Sequence, residues 1–367
     1  MGPAYGSQQP QAGQEPPPSE HTDIGVSSGF SRWLRAHNTS LAFTSYQSNR
    51  LFLVGRMPNG KVSVHQQLFR RAMGLAWEQE RLYLASITEI WRLENQLGSD
   101  EFAEGHFDVQ LMPRQTYITG HLDVHEMAIS MGGHLIFVAT DLSCLGILDP
   151  VRSFRPVWKP PFISEISRGD RCHMNGLGMV DGKPKYVTCV SQTDVERGWH
   201  GRPLPKGVIV DVETNRIVTD NLSMPHSPRL AGGKLYAVDS GRGFVVEVDP
   251  STGEVADLVF CPGFLRGLEI IGKYAVVTVS KPRYGTFEGL PIGEEMERRK
   301  LKPMCAVMVV DLESRSIVEW LTLEGYVQEL FTVVAMPGVV CPSSIGPTAA
   351  EYPEMITFEP EIVPLAF

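Results

Sequence analysis

What most limits the fold of this chain is a unit that it repeats. A short strand, a turn and a more apolar strand occur at residues 73–77 with 81–86, 127–130 with 134–140, 175–180 with 185–191, 228–231 with 234–240, and 266–270 with 273–280. A weaker copy lies at 329–334 with 338–341. One apolar marker keeps the register through all of them: Leu75, Ile129, Leu177, Leu230, Leu268 and Phe331. A second half-unit follows, an apolar strand that ends in an aspartate and turns, at Asp149, Asp211, Asp249 and Asp311. An aspartate in that place accepts hydrogen bonds from the amides of its own turn, which gives these four a structural role. Four strands per unit, repeated about six times, make an all-β chain folded as a single β-propeller. Six four-stranded blades are expected, or seven if 41–46 is itself an inner strand. The last unit lacks outer strands, and the hairpin strands at 41–66 lack an inner one. Pairing these N- and C-terminal strands would close the ring and leave no open edge at the seam.

Outside the repeat the pattern is weaker. Residues 1–27 are rich in Gln, Pro, Gly and Ser without an apolar period, and are expected to be a disordered tail. The propeller is expected over 28–345, entered through a short amphipathic helix at 30–37, with a C-terminal extension at 346–367. The charged segment 282–302 reads as a loop inserted between two strands of one blade.

Charge and composition remove several classes of function. The formal net charge is -9 and no basic stripe offsets it, which argues against nucleic acid as a partner. No apolar run approaches the ~18 residues of a membrane span, and nothing reads as a secretion signal. The six cysteines are scattered without a CxxC pair and sit mostly in apolar strands, as small buried hydrophobes do in a reduced setting. A cytoplasmic protein that binds neither membrane nor nucleic acid is the expectation.

The register of the markers also assigns chemistry to the propeller axis. The first strand of each blade lines the central channel, and side chains four and two positions before the marker share a face. Four before, the ring reads Arg71, His125, His173, His226, Phe264 and Val327. Two before, it reads Met73, Met127, Asn175, Pro228, Arg266 and Glu329. A lone histidine at a strand start is ordinarily a satisfied core or loop residue. Three in one register of consecutive repeats are expected to converge. Three imidazoles without a fourth protein ligand leave coordination positions open, the pattern of a catalytic metal site for Zn, Fe or Cu. Asp123 and Glu126 beside His125, and Asp170 beside His173, are candidates to orient the rings. Arg71 and Arg266 are expected to grip an anionic substrate, Glu329 to act as acid or base, and Asn175 to complete the catalytic set.

The segments Met73-Gly74-Leu75, Asp123-Val124-His125-Glu126, Arg171-Cys172-His173-Met174-Asn175-Gly176, Met224-Pro225-His226-Ser227-Pro228-Arg229 and Phe264-Leu265-Arg266-Gly267-Leu268 resemble a bacterial family of conserved hypothetical proteins. That family is described as a domain of unknown function, and the resemblance runs from about residue 38 to 345. It implies no activity. In architecture the chain is also similar to metal-dependent six-bladed propellers, the gluconolactonase/regucalcin group and the peptidyl-hydroxyglycine amidating lyase. The lyase holds zinc by three histidines from different blades, with arginine nearby. The likeness implies that His125, His173 and His226 would match its ligands, and Arg71 or Arg266 its arginine. This chain departs from the lyase in having no secretory signal or disulfide pattern. The carboxylate and Asn set of the gluconolactonase group fits three histidines poorly.

The expectation from sequence is therefore a metal-dependent enzyme with one divalent ion at the axis. Its substrate would be small and anionic or peptide-derived, and its chemistry lyase, hydrolase or oxygenase. The alternative is a non-catalytic propeller that binds a protein or peptide partner on one face.

Overall fold

The computed structural model describes residues 21–200 and 206–358. Short apolar strands separated by Gly, Asp and Asn turns assemble into six sheets, four of four strands and two of five. Each sheet is a blade. The innermost strands are Val333–Pro337 in blade 1, Leu75–Glu78 in blade 2, Val124–Ile129 in blade 3, Met174–Val180 in blade 4, Pro225–Ala231 in blade 5 and Phe264–Ile271 in blade 6. Each of these packs on the next, and the sixth returns to the first, so the ring is closed. The fold is the expected six-bladed propeller.

Closure follows the expected route. Val333–Pro337 pairs antiparallel with Thr39–Ser45, which continues outward into Arg50–Arg56 and Val62–Leu68. The apolar core lies between neighbouring blades. At the seam, Val307 and Val309 of blade 6 meet Leu41, Phe43 and Phe52 of blade 1, all fully buried. Each such side chain contributes about 1.5–3 kcal/mol relative to exposure. Asp149, Asp211, Asp249 and Asp311 each accept hydrogen bonds from the amides two and three residues onward, the structural role expected of them. All six cysteines are free and buried.

Four features differ from the sequence expectation. The stretch 338–341 is not a second strand, because the place beside Val333–Pro337 is already taken by Thr39–Ser45. The chain instead crosses to blade 2, where Pro342–Ser344 pairs parallel with the outer strand Val109–Ile118. Thr22–Val26, inside the expected tail, pairs with Ser316–Gly325 as a fifth strand of blade 6. Its side chains are mostly exposed, so the pairing rests on backbone hydrogen bonds that leave no apolar period to read. Residues 1–20 of that expected tail, and 359–367 of the C-terminal extension, lie outside the described residues. The insertion 282–302 contains the helix Pro291–Arg299, started by a proline in its first turn and anchored by Ile292 and Met296 against Phe260 and Phe264. The helix Phe30–Ala36 forms as expected and buries Phe30, Trp33 and Leu34.

The fourth difference bears on the site. The inner strands of blades 3 to 6 each slip register at one level, between the partners of Phe137 and Ala139, at Met174/Gly176, at His226/Arg229 and at Leu265/Leu268. A bulge breaks the two-residue alternation, so neighbours in sequence can face the same way. The channel is accordingly lined by His125 with Glu126 and by His226 with Ser227, together with Asn175 and Arg266. Met127, expected on the channel face, packs in the core between blades.

Candidate functional site

The histidines stand where the inner strands begin, on the face of the ring that carries the entering loops. The backbone just before them is left-handed at non-glycine residues: Asp123 at φ 54°, Asp170 at 43° and Met224 at 51°. These turns aim acceptors at the imidazoles. His125 Nδ1 donates to the Asp123 carbonyl at 2.9 Å, and His226 Nδ1 to the Met224 carbonyl at 3.0 Å. Each Nδ1 also meets a hydroxyl, Thr140 at 2.8 Å and Ser240 at 3.0 Å. The Thr140 hydroxyl donates its own proton to the Met174 carbonyl at 2.6 Å, so towards His125 it can only accept. His173 Nδ1 donates to Asp170 Oδ2 at 2.7 Å, and the Trp199 indole donates to the same oxygen at 3.1 Å. Carbonyls and carboxylates only accept, so Nδ1 carries a proton in all three rings, and in the neutral form of each ring the lone pair is on Nε2.

These rings share one region. His125 and His173 lie with ring centres 5.0 Å apart and nearly perpendicular, at 87°. His226 lines the same small cavity as His125, and its Nε2 accepts from Asn175 Nδ2 at 3.2 Å. Asn175 is held in turn by the Thr188 hydroxyl, which donates to Oδ1 at 2.6 Å. Burial pushes His125 down to about 4, with His173 adding to the shift, and pushes His226 well below the ordinary histidine value, helped by Arg266. Both are neutral bases at neutral pH. Among the described residues, no three His, Cys, Asp or Glu side chains are grouped so as to hold a metal ion.

The other side of the channel is ionic. Arg266 pairs with Glu329 Oε2 at 3.2 Å and lies over the rings of Tyr46, Phe264 and Phe331. Arg283 and the Tyr46 hydroxyl bind the same carboxylate. Burial alone would raise Glu329, but Arg266, Tyr46 and Arg283 outweigh it and hold it below the usual carboxylate range. That suits an anchor for Arg266 better than a proton donor. Arg71 lies apart from Arg266, at the mouth, paired with Asp123 at 2.6 Å. The mouth is a pocket of about 690 Å³ lined by Arg71, Arg168 and Arg197 and by Asp123, Asp141 and Glu196.

Beneath the histidines the channel closes. Glu126 does not orient His125; it accepts from the Leu177 amide at 2.6 Å, from the Ser227 hydroxyl and from Arg229 at 3.0 Å. This brace joins blades 3, 4 and 5 and leaves a cavity of about 10 Å³, room for no more than about one water. The Met-Gly-Leu, Asn-Gly-Leu and Arg-Gly-Leu repeats have a steric cause here. A Cβ at Gly267 would stand 2.7 Å from the Phe331 carbonyl oxygen and the Val333 nitrogen of blade 1, and one at Gly176 would stand 2.8 Å from the Ser227 nitrogen.

With this geometry in view, the family profile described as domain of unknown function (DUF4915) matches residues 28–345. The chain belongs to that family. Compared with curated proteins, this DUF4915 chain finds no match. Among solved structures it is similar to one titled as a nidogen/laminin complex, at 13% identity and a TM-score of 0.54, covering 82% of this chain and 99% of that one. It is also similar to a protein of unknown function from Bacteroides caccae, at 10% identity and a TM-score of 0.48, covering 82% and 99%. The first likeness shows the propeller fold and nothing more.

The structure therefore places His125, His226, Asn175 and Arg266 on one cavity, with His173 beside His125, Glu329 beside Arg266, and Arg71 further out. Sequence reasoning missed Ser227 and Arg229, and the inward turn of Glu126, because the bulges that turn this level inward leave no residue-type signal. It missed Arg283 and Trp199, because both sit in irregular loops without register. Tyr46 was legible only as the end of a strand.

Proposed function

We propose that this propeller is a metal-dependent enzyme whose His125, His173 and His226 hold one divalent ion at the mouth of the channel. The observation that carries the reading is the His125–His173 pair: rings 5.0 Å apart and nearly perpendicular, each with Nδ1 tied to an acceptor. Two imidazoles sharing one tetrahedral zinc at about 2.1 Å per nitrogen have ring centres about 5 Å apart. An anchored Nδ1 and a presented Nε2 are the usual outer-shell arrangement of metal-ligating histidines. His226 joins the set once its Nε2 is released by Asn175. The ion would act as a Lewis acid or activate water, as in three-histidine propellers such as the amidating lyase.

The residues around it have their own tasks. The mouth pocket of about 690 Å³ falls in the ordinary range for small ligands and offers both charge signs, which fits a small anionic or peptide-derived substrate. Arg71 grips the anionic end in exchange for Asp123, while Glu329 keeps Arg266 oriented at the channel wall. Six free, buried cysteines support a reduced compartment, and we place the protein in the cytoplasm. Among the described residues no helix is long and apolar enough to cross a membrane.

Elemental analysis of the purified, untagged protein tests this, beside His125→Ala and His173→Ala. About one equivalent of Zn, Fe or Cu is expected in the parent and none in either variant, with unchanged circular dichroism. Retention of metal in both variants, or no uptake by the parent after reconstitution, would overturn the reading.

A further inference from the structure

On the face opposite the histidines, the helix Phe30–Ala36, the turn at 57–60 and the loop at 102–108 enclose a cavity of about 630 Å³. The Ser31 hydroxyl donates to the Gly60 carbonyl at 2.6 Å and ties the helix to the turn. Arg32, Arg35 and Arg56 line this cavity, with Met57, Pro58 and the exposed Phe102. The arginines differ from most of those of the channel and its mouth, Arg197 excepted. Arg71, Arg168, Arg229, Arg266 and Arg283 each meet a carboxylate. Arg32, Arg35 and Arg56 meet none among the described residues, and the Nε of Arg56 is buried without a hydrogen-bond partner.

Among the described residues one acidic side chain lines the cavity, and its oxygens are already engaged. Asp108 accepts from the Val340 amide at 2.7 Å and from the Cys341 amide at 2.6 Å. Among the described residues three arginines thus line one cavity beside a single carboxylate that the backbone already engages, in a chain whose net charge is -9. A buried donor left without a partner costs stability, and an arginine fork matches phosphate oxygens in geometry as well as charge. The apolar wall of Met57, Pro58 and Phe102 favours a ligand with an apolar or aromatic part.

We propose that this cavity is a second binding site, for a phosphate-bearing small molecule with an apolar or aromatic part. It is separate from the axial site and stands whether or not a metal binds there. The volume lies within the ordinary range for small-ligand pockets.

Thermal shift and calorimetric titration of the full chain with inorganic phosphate, pyrophosphate and phenyl phosphate test it. Each probe is expected to raise Tm, phenyl phosphate more than inorganic phosphate. The Arg32→Ala/Arg35→Ala double variant changes exposed helix positions and should fold normally. It is expected to weaken all three probes by about tenfold or more, while Phe102→Ala weakens only phenyl phosphate. Arg56→Gln should follow the double variant, and His173→Ala should respond like the parent. No response in the parent, equal binding by the double variant, or loss of binding in His173→Ala in place of the arginine variants would each overturn the site.

Discussion

The mouth and the depth of the channel are made of similar residue types and behave differently. At depth, Glu126 has both oxygens engaged by Leu177, Ser227 and Arg229 across three blades. Arg229 also donates to the Leu177 carbonyl at 3.0 Å. At the mouth, His125, His173 and His226 each have one nitrogen fixed, while the other meets Asn175 at His226 and carries no hydrogen bond from the described residues at His125 or His173. Saturated polar groups hold a fold together. Groups fixed on one side and available on the other are what a ligand needs. The same ring of strands thus carries a structural layer and, directly above it, a layer with coordination capacity left over.

The largest test of this contrast is at depth. Glu126→Ala leaves Arg229 buried without its carboxylate and should cost about 3–5 kcal/mol, read by chemical denaturation. A cost below about 1 kcal/mol would remove the distinction between the layers.

A smaller effect comes from Glu269, deeper still, which burial raises from 4.5 to about 7 despite Arg229. Because its folded pKa lies above the unfolded one, the fold keeps a proton that the unfolded chain releases. Its contribution is full below about pH 4.5, declines as pH rises to about 7, and is level above. Glu269→Gln should flatten that stretch of the stability–pH curve and stabilise the protein at pH 8 by about 2 kcal/mol.

At the mouth, Asn175→Ala is expected to lower stability by only about 1–2 kcal/mol, since it removes two neutral hydrogen bonds. It also frees His226 Nε2, so metal affinity in a competition titration should rise. A fall in affinity would make Asn175 a partner of the ion and not its competitor.

Much of this was legible from residue patterns. Alternation of apolar residues, aspartate-ended strands and the six markers led to blades, their number and the closing pair at the seam. The histidine register led to three rings that share one region of the channel: His173 and His226 stand before the bulges of their strands, and His125 at the start of its own. It failed one step deeper: Met127 and Pro228 were expected on the channel face, and Glu126 and Ser227 occupy it. Bulges are set by how six inner strands crowd around an axis, and Gly176 and Gly267 record that crowding without revealing which neighbour turns inward. The strand Thr22–Val26 escaped notice because an exposed edge pairing needs only backbone groups, which every residue carries.

What the sequence by itself determined is the repeat, the all-β propeller and the residue types of the channel, since these depend on local period and turn chemistry. The tertiary structure alone decided which side chains saturate one another and which retain capacity. Arg266 is held by Glu329, Arg283 comes from an insertion, and the Nε of Arg56 has no hydrogen-bond partner among the described residues. Those outcomes depend on distances between blades that lie far apart along the chain, and no local pattern encodes such distances.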